Sequence, residues 1–341
     1  MINMTKLVYI GFAFQHHKGL HAGYHHIKDY LPYDKIIDGQ KELERWSNPN
    51  ISIVDRIIRK IFQKIIKTQL PFTYLRALYY AMFHKNCVFH FIYGENIYSN
   101  FCHRLMLNNK TVITLHQPFY WFNSDLWLRR LRSIDGVILM SNKEVDKFIT
   151  TTGKDNVSFI PHGIDTEFYA PDENIQKSNC ILMVGNWLRD FKFANTVFCK
   201  LLNEDETLQI NVVTNKENFK YFTSKSRIHL MSGISDIELR NLYRVSKVLF
   251  LPLIEYTANN AFLEAVSTGC PVIIATDKPD YSYLKKNMID VIPLNISLVV
   301  DYLSNDIFKT VNRNSVIRTF SWKTIGNLSK RKLLGSINDK L

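Results

Sequence analysis

The chain has 341 residues, is 46% hydrophobic and carries a net charge of +12 with a pI near 9.3. It can bury a large core, and its length favours two domains. The basic excess is spread over both halves, which excludes a basic tail. It suits anionic partners such as sugar nucleotides, phospholipid head groups or nucleic acid, but no nucleic-acid motif is visible and none is expected as a partner.

The N-terminus enters a strand directly, with no apolar region followed by a cleavage site, and no stretch reaches the ~18 apolar residues of a spanning helix. A cytoplasmic location is the default expectation. The five cysteines (Cys87, Cys102, Cys180, Cys199 and Cys270) are scattered without metal-ligand spacing. They read as reduced, small apolar residues.

Strand candidates in the first half are 7–12, 88–92, 111–115, 136–140 and 157–161. After the first of them, Lys18-Gly19-Leu20-His21-Ala22-Gly23-Tyr24 precedes a helix, and its glycines permit close backbone approach. His16, His17, His21, His25 and His26 crowd there, but no carboxylate or cysteine joins them at ligand spacing, so no metal is expected.

The run 54–67 has Val54, Ile57, Ile58, Ile61, Phe62, Ile65 and Ile66 at helical spacing. Arg56, Arg59, Lys60, Lys64 and Lys67 fill the opposite face. Two readings stay open: a basic amphipathic helix on an anionic membrane surface, or a core helix with a solvated basic face. Further on, His116 ends the strand candidate 111–115 at a strand's carboxyl end.

Polar residues 169–179 form the best linker. The second half offers strands at 180–184, 209–213, 228–231, 248–251 and 272–275. Apolar strands alternating with helical stretches argue parallel sheets covered on both faces, with ligands at the strands' carboxyl ends. After the strand candidate 180–184 come Gly185-Asn186-Trp187-Leu188-Arg189-Asp190-Phe191-Lys192. The charges of Arg189 and Lys192 could neutralise a diphosphate.

The most informative stretch follows the run 248–253. Glu255-Tyr256-Thr257-Ala258-Asn259-Asn260 is a polar turn that opens a helix, and Glu264 lies about two turns along. Thr and Asn cap free N–H groups, and with the helix dipole they make an anion site. Glu264 can reach a neutral hydroxyl such as a ribose.

This stretch resembles the donor-binding signature of retaining glycosyltransferases of family 4. Ile160-Pro161-His162-Gly163-Ile164-Asp165-Thr166-Glu167-Phe168-Tyr169-Ala170-Pro171 resembles the family's segment at the junction of its two domains, the turn 184–192 its Gly-rich turn with a basic pair, and the tail Arg318-Thr319-Phe320-Ser321-Trp322-Lys323-Thr324-Ile325 its closing segment. The resemblance is strong over residues 135–290 and thin before.

It implies an α/β GT-B fold, with two Rossmann-like domains facing across a cleft. The expected limits are 1–168 for an acceptor-binding domain, with a helix at about 318–341 packing back on it, and 169–317 for a nucleotide-sugar domain. It also implies a UDP- or GDP-sugar donor, no cofactor, and a glycan or lipid-linked acceptor in polysaccharide or glycolipid assembly, with the protein cytoplasmic or peripheral on the inner membrane face. His116 is implied to face the transferred sugar, with Arg189 and Lys192 also catalytic. Gly19, Gly185, Asn186, Tyr256, Thr257, Ala258, Asn259, Asn260 and Glu264 are implied to bind the donor.

Two departures stand out. The family's first motif glutamate falls on Tyr256, with Glu255 one residue early, and Asn186 stands where an arginine is common, leaving Arg189 the nearest substitute. The rival readings are a nucleotide-sugar 2-epimerase of similar fold and a non-catalytic basic binder of membrane or nucleic acid.

Overall fold

The computed structural model describes residues 5–14, 21–106, 108–153, 155–223, 226–283 and 289–335. These divide into two compact units: 5–14, 23–163 and 322–335 in one, 21–22 and 164–321 in the other. The divisions fall at 163/164 and 321/322, a few residues from the 168/169 and 317/318 expected from the sequence.

The first unit is built on a sheet of β1 (Lys6–Gly11), β2 (Lys35–Asp38), β3 (Cys87–Phe91), β4 (Lys110–Leu115), β5 (Gly136–Leu139) and β6 (Val157–Phe159). Its order is β2-β1-β3-β4-β5-β6, and all its ladders are parallel. The central strands are buried on both faces: Val8, Ile10, Phe89, Phe91, Ile113 and Ile138 have no accessible surface. That double burial explains why they read as continuous apolar runs rather than alternating ones.

The second unit holds β7 (Ser178–Val184), β8 (Gln209–Val213), β9 (Ile228–Met231), β10 (Ser246–Pro252), β11 (Val272–Ala275) and β12 (Asp290–Ile292). The order is β12-β11-β10-β7-β8-β9, again all parallel. The helix Phe191–Glu204 covers this sheet. Asp190 starts it by accepting from the Phe193 amide at 2.9 Å. Phe191, Ala194, Val197, Phe198, Leu201 and Leu202 recur at helical spacing and join Met183, Val212 and Phe250 in the core. Truncating Phe198 to alanine there costs about 3–5 kcal/mol.

Ten strands were expected, and twelve are found among the described residues. The additions, β2 and β12, are both sheet edges. In β2 only Ile37 is buried, and β12 has three residues, so neither carries a strand-length apolar pattern.

Candidate active site

In the second unit the turn after β7 and the turn after β10 meet at the carboxyl ends of adjacent strands. Asp190 N–H donates to the Pro252 carbonyl at 3.0 Å and Ile254 N–H to Leu188 at 3.1 Å, which ties the two turns together. Gly185 has φ +127°, and a Cβ there would come within 2.7 Å of the Arg189 guanidinium. Glycine therefore serves both the backbone angle and the space that Arg189 fills.

Arg189 folds back over the strand end. Its Nε donates to the Val184 carbonyl at 3.3 Å, Nη1 to Trp187 at 2.9 Å and Nη2 to Asn259 Oδ1 at 3.3 Å. Burial brings its pKa down to about 10, so it stays charged at neutral pH.

Asn259 caps the helix Asn260–Ser267, its Oδ1 also accepting from the Phe262 amide at 3.3 Å. Asn259 is only 7% exposed, and its Nδ2 is buried with no hydrogen-bond partner. A buried donor left unpaired costs about 1–3 kcal/mol, which a ligand oxygen would recover. Asn260 opens the helix and Ala258 is half-buried beside it, while Thr257 is buried. Lys192 is exposed in the first turn of the helix Phe191–Glu204. A cation there opposes the helix dipole, which an anion alongside would offset.

Asn186 does not point a charge at this end. Its Oδ1 accepts from Thr214 Oγ1 at 3.1 Å and from the Asn215 amide at 2.6 Å, fixing the turn after β8. Tyr256 is buried, and its hydroxyl exchanges hydrogen bonds with Asp280, donating to the carbonyl at 3.0 Å and accepting from the amide at 2.9 Å. The neighbouring Glu255 pairs with Lys278 at 2.8 Å.

Glu264 lies one turn into its helix rather than two, because 255–259 is not helical. It is 4% exposed and accepts from the Tyr243 hydroxyl at 2.8 Å. Burial, against the help of that hydroxyl, raises its pKa to about 7. The Tyr169 hydroxyl is buried and also interacts with this carboxyl, helping Tyr243 against the effect of burial. Tyr243 is a site neighbour that no local signal in the sequence marks, while Tyr169 lies within the segment 160–171, where nothing local assigns it to Glu264.

In the first unit, His116 follows β4. Its Nε2–H donates to the Ile92 carbonyl at 2.8 Å, and its amide donates to Glu95 Oε1 at 3.2 Å. The ring meets Tyr24 and Tyr93 at centroid distances of 4.9 and 4.7 Å. Burial pulls its pKa down to about 4, so the imidazole is neutral at neutral pH. Glu95, raised to about 8 by burial, was not singled out by the sequence; its Oε2 is buried without a partner.

His162 Nδ1 lies 2.6 Å from the Gly163 carbonyl, and its ring is 5.3 Å from that of Trp322. A Cβ on Gly163 would meet the Trp322 ring at 2.2 Å, which explains why a glycine follows the histidine. Gly19 lies outside the described residues. Of the crowded histidines, the His25 and His26 rings lie 4.2 Å apart, tilted by 35°, and no group of three metal-binding side chains occurs among the described residues.

The run 54–67 forms the helix Ile53–Ile66, started by Ser52 accepting from the Asp55 amide and ended at Lys67 in a left-handed conformation. Its cations divide. Arg56 donates to the carbonyls of Ile51 and Pro49, and Arg59 donates to that of Trp46 at 2.8 Å while lying 5.3 Å from its ring. Lys60, Lys64 and Lys67 are exposed. Of the two readings left open, the core helix with a solvated basic face is corrected: most of the isoleucines are themselves exposed. Among the described residues no helix is long and apolar enough to cross a membrane.

No family model matches this chain, and no curated protein does. Solved structures do. A glycosyltransferase from Rickettsia africae is 17% identical at a TM-score of 0.64, with 99% of this chain and all of that one covered. The N-terminal domain of Candida albicans trehalose-6-phosphate phosphatase gives 12% and 0.68, covering 98% and 97%. Anabaena HepE, solved with UDP and glucose, gives 12% and 0.64, covering 98% and 100%. The chain spans only 59% and 55% of two S. aureus TarM chains that it also matches, at 11% identity and TM-scores of 0.55 and 0.54. With its two parallel six-stranded sheets, the chain has the GT-B fold of two Rossmann-like domains. A phosphatase-named domain in that set illustrates that fold alone does not fix the reaction.

Proposed function

We propose that this chain is a retaining glycosyltransferase. It moves a sugar from a UDP- or GDP-sugar to a hydroxyl of a glycan or lipid-linked acceptor, without a metal, at the inner face of a cell membrane. The product belongs to surface polysaccharide or glycolipid assembly.

The observation that carries this reading is the meeting of Arg189 with Asn259 at the start of the helix Asn260–Ser267. A guanidinium, an unpaired buried amide donor and the free N–H groups of a helix start all favour an anion with several acceptor oxygens. A diphosphate is such an anion. The Anabaena relative solved with UDP and glucose is consistent with it.

In the reaction the bond from the anomeric carbon to the diphosphate oxygen breaks and a bond to the acceptor oxygen forms on the same face. The acceptor's proton passes to the departing phosphate oxygen, so no protein base is needed. Arg189 and Lys192 stabilise the charge that grows on the leaving group. Backbone N–H groups of residues 257–260 complete the contact, taking the part of the missing first glutamate, and Gly185 keeps the space open. Glu264, held by Tyr243, receives the ribose hydroxyls on its other oxygen. His116, neutral, offers the sugar a hydrogen bond rather than a charge.

Incubation with a panel of UDP- and GDP-sugars lacking acceptor tests this reading. Slow release of the nucleotide from one donor is expected, equal with and without EDTA. No release from any donor leaves a non-catalytic binder. Release of a free 2-epimer favours the epimerase, and activity lost in EDTA and restored by Mn²⁺ or Mg²⁺ contradicts the metal-free mechanism.

A further inference from the structure

The helix Ile53–Ile66 is held on one side only. Ile66 is buried, the Phe62 ring lies 4.8 Å from that of Phe72, and Arg59 is fixed on Trp46. The other side is bare. Ile53 is 75% exposed, Val54 64%, Ile57 52%, Ile61 50% and Ile65 52%. At about 100° per residue these five side chains share one stripe, and Lys60 and Lys64 run along its edge. A continuous isoleucine stripe in water is unfavourable by about 25 cal/mol per Å² and marks an interaction surface.

We propose that this stripe docks the first unit on an anionic lipid bilayer. The isoleucines enter the boundary between head groups and acyl chains, and Lys60 and Lys64 meet the lipid phosphates. Charge decides the occupant. The helix carries one acidic residue, Asp55, which is paired with Arg45, while Lys60, Lys64 and the neighbouring Lys67 are exposed. Two copies pressed stripe to stripe would bring lysines of one sign together, whereas an anionic surface complements them. Fourteen residues span about 21 Å, short of the ~30 Å hydrocarbon core, so the helix lies in the plane of the membrane. This deepens the proposed function, on which it rests only for the lipid-linked acceptor. Donor hydrolysis without lipid fails or succeeds independently of it.

Co-sedimentation of the full chain with phosphatidylglycerol-rich vesicles, and with pure phosphatidylcholine vesicles, tests the proposal. The wild type binds the first at low salt, binds the second weakly, and is released by added salt. Lys60→Gln and Lys64→Gln each weaken binding about fivefold. Ile57→Ser, Ile61→Ser and Ile65→Ser together abolish it. Those side chains are exposed, so the unfolding midpoint and donor hydrolysis stay at wild-type values. Wild type that remains in the supernatant at low salt overturns the proposal, as does a triple serine variant that still binds. A concentration-dependent dimer that the serine changes dissolve also overturns it, by assigning the stripe to a second copy.

Discussion

Arg189 Nη2 lies 3.3 Å from Asn259 Oδ1, joining the turn after β7 to the cap of the helix after β10. Seventy residues separate the two side chains in sequence, and a parallel sheet brings them to one end. The pairing aims a cation and a helix start at the same place, and it turns Asn259 so that its Nδ2 is left without a protein partner.

Arg189→Ala is expected to slow turnover tenfold or more, equivalent to about 1.4 kcal/mol of lost transition-state stabilisation. Arg189→Lys should not restore it, because an ammonium cannot reach Val184, Trp187 and Asn259 at once. Lys192→Ala should act through kcat by a similar factor without lowering the unfolding midpoint, since the side chain is exposed. Steady-state kinetics of donor consumption check both, and wild-type rates in both variants would mean that the diphosphate is held elsewhere.

Glu264 makes stability fall as pH rises. Its folded pKa of about 7 lies above that of an unfolded glutamate, so the native state holds the extra proton between roughly pH 4.5 and 7. The proton's stabilising effect is complete below that window and lost above it. Glu264→Gln keeps the shape and should flatten this part of the midpoint-against-pH curve, while weakening nucleotide affinity. Glu264→Ala also strands the Tyr243 hydroxyl and should cost about 1–3 kcal/mol of stability. Thermal scans from pH 4.5 to 8 distinguish the variants, and a Glu264→Gln curve parallel to wild type would exclude the buried protonated carboxyl.

His116 should show the opposite sign. His25, His90, His116 and His162 are all held neutral by burial, with pKa values of about 3 or 4. The unfolded chain takes up protons near pH 6.5 that these rings refuse, so stability is full above that pH and lost as pH falls toward 4. Proton NMR of the imidazoles should show no titration of His116 above pH 5. His116→Ala should lower kcat more than nucleotide affinity, and an equal loss of both would contradict its placement against the sugar.

Much of this was legible because it is local. The apolar run before Glu255, the asparagine cap and the glycine after β7 are read from neighbours in sequence, and they lie where the two turns meet. What escaped is non-local or directional. The Tyr256 hydroxyl is spent on Asp280, twenty-four residues away, and Glu264 is met by Tyr243, twenty-one residues before it. Neither distance leaves a pattern. Periodicity in 54–67 reports that one face is apolar, but not which way that face points, and the structure turns much of it outward. Edge strands β2 and β12 bury too few side chains to announce themselves.

Calorimetric titration of UDP and GDP into wild type and Asn259→Ala tests the central claim most directly. That claim is that an anionic nucleotide diphosphate seats at the Arg189–Asn259 end of the second unit. Wild type should bind one of the two nucleotides in EDTA, and Asn259→Ala, losing both the cap and the unpaired donor, should bind it at least tenfold more weakly, about 1.4 kcal/mol. Equal affinity in the two proteins, or no binding of either nucleotide to wild type, would contradict it.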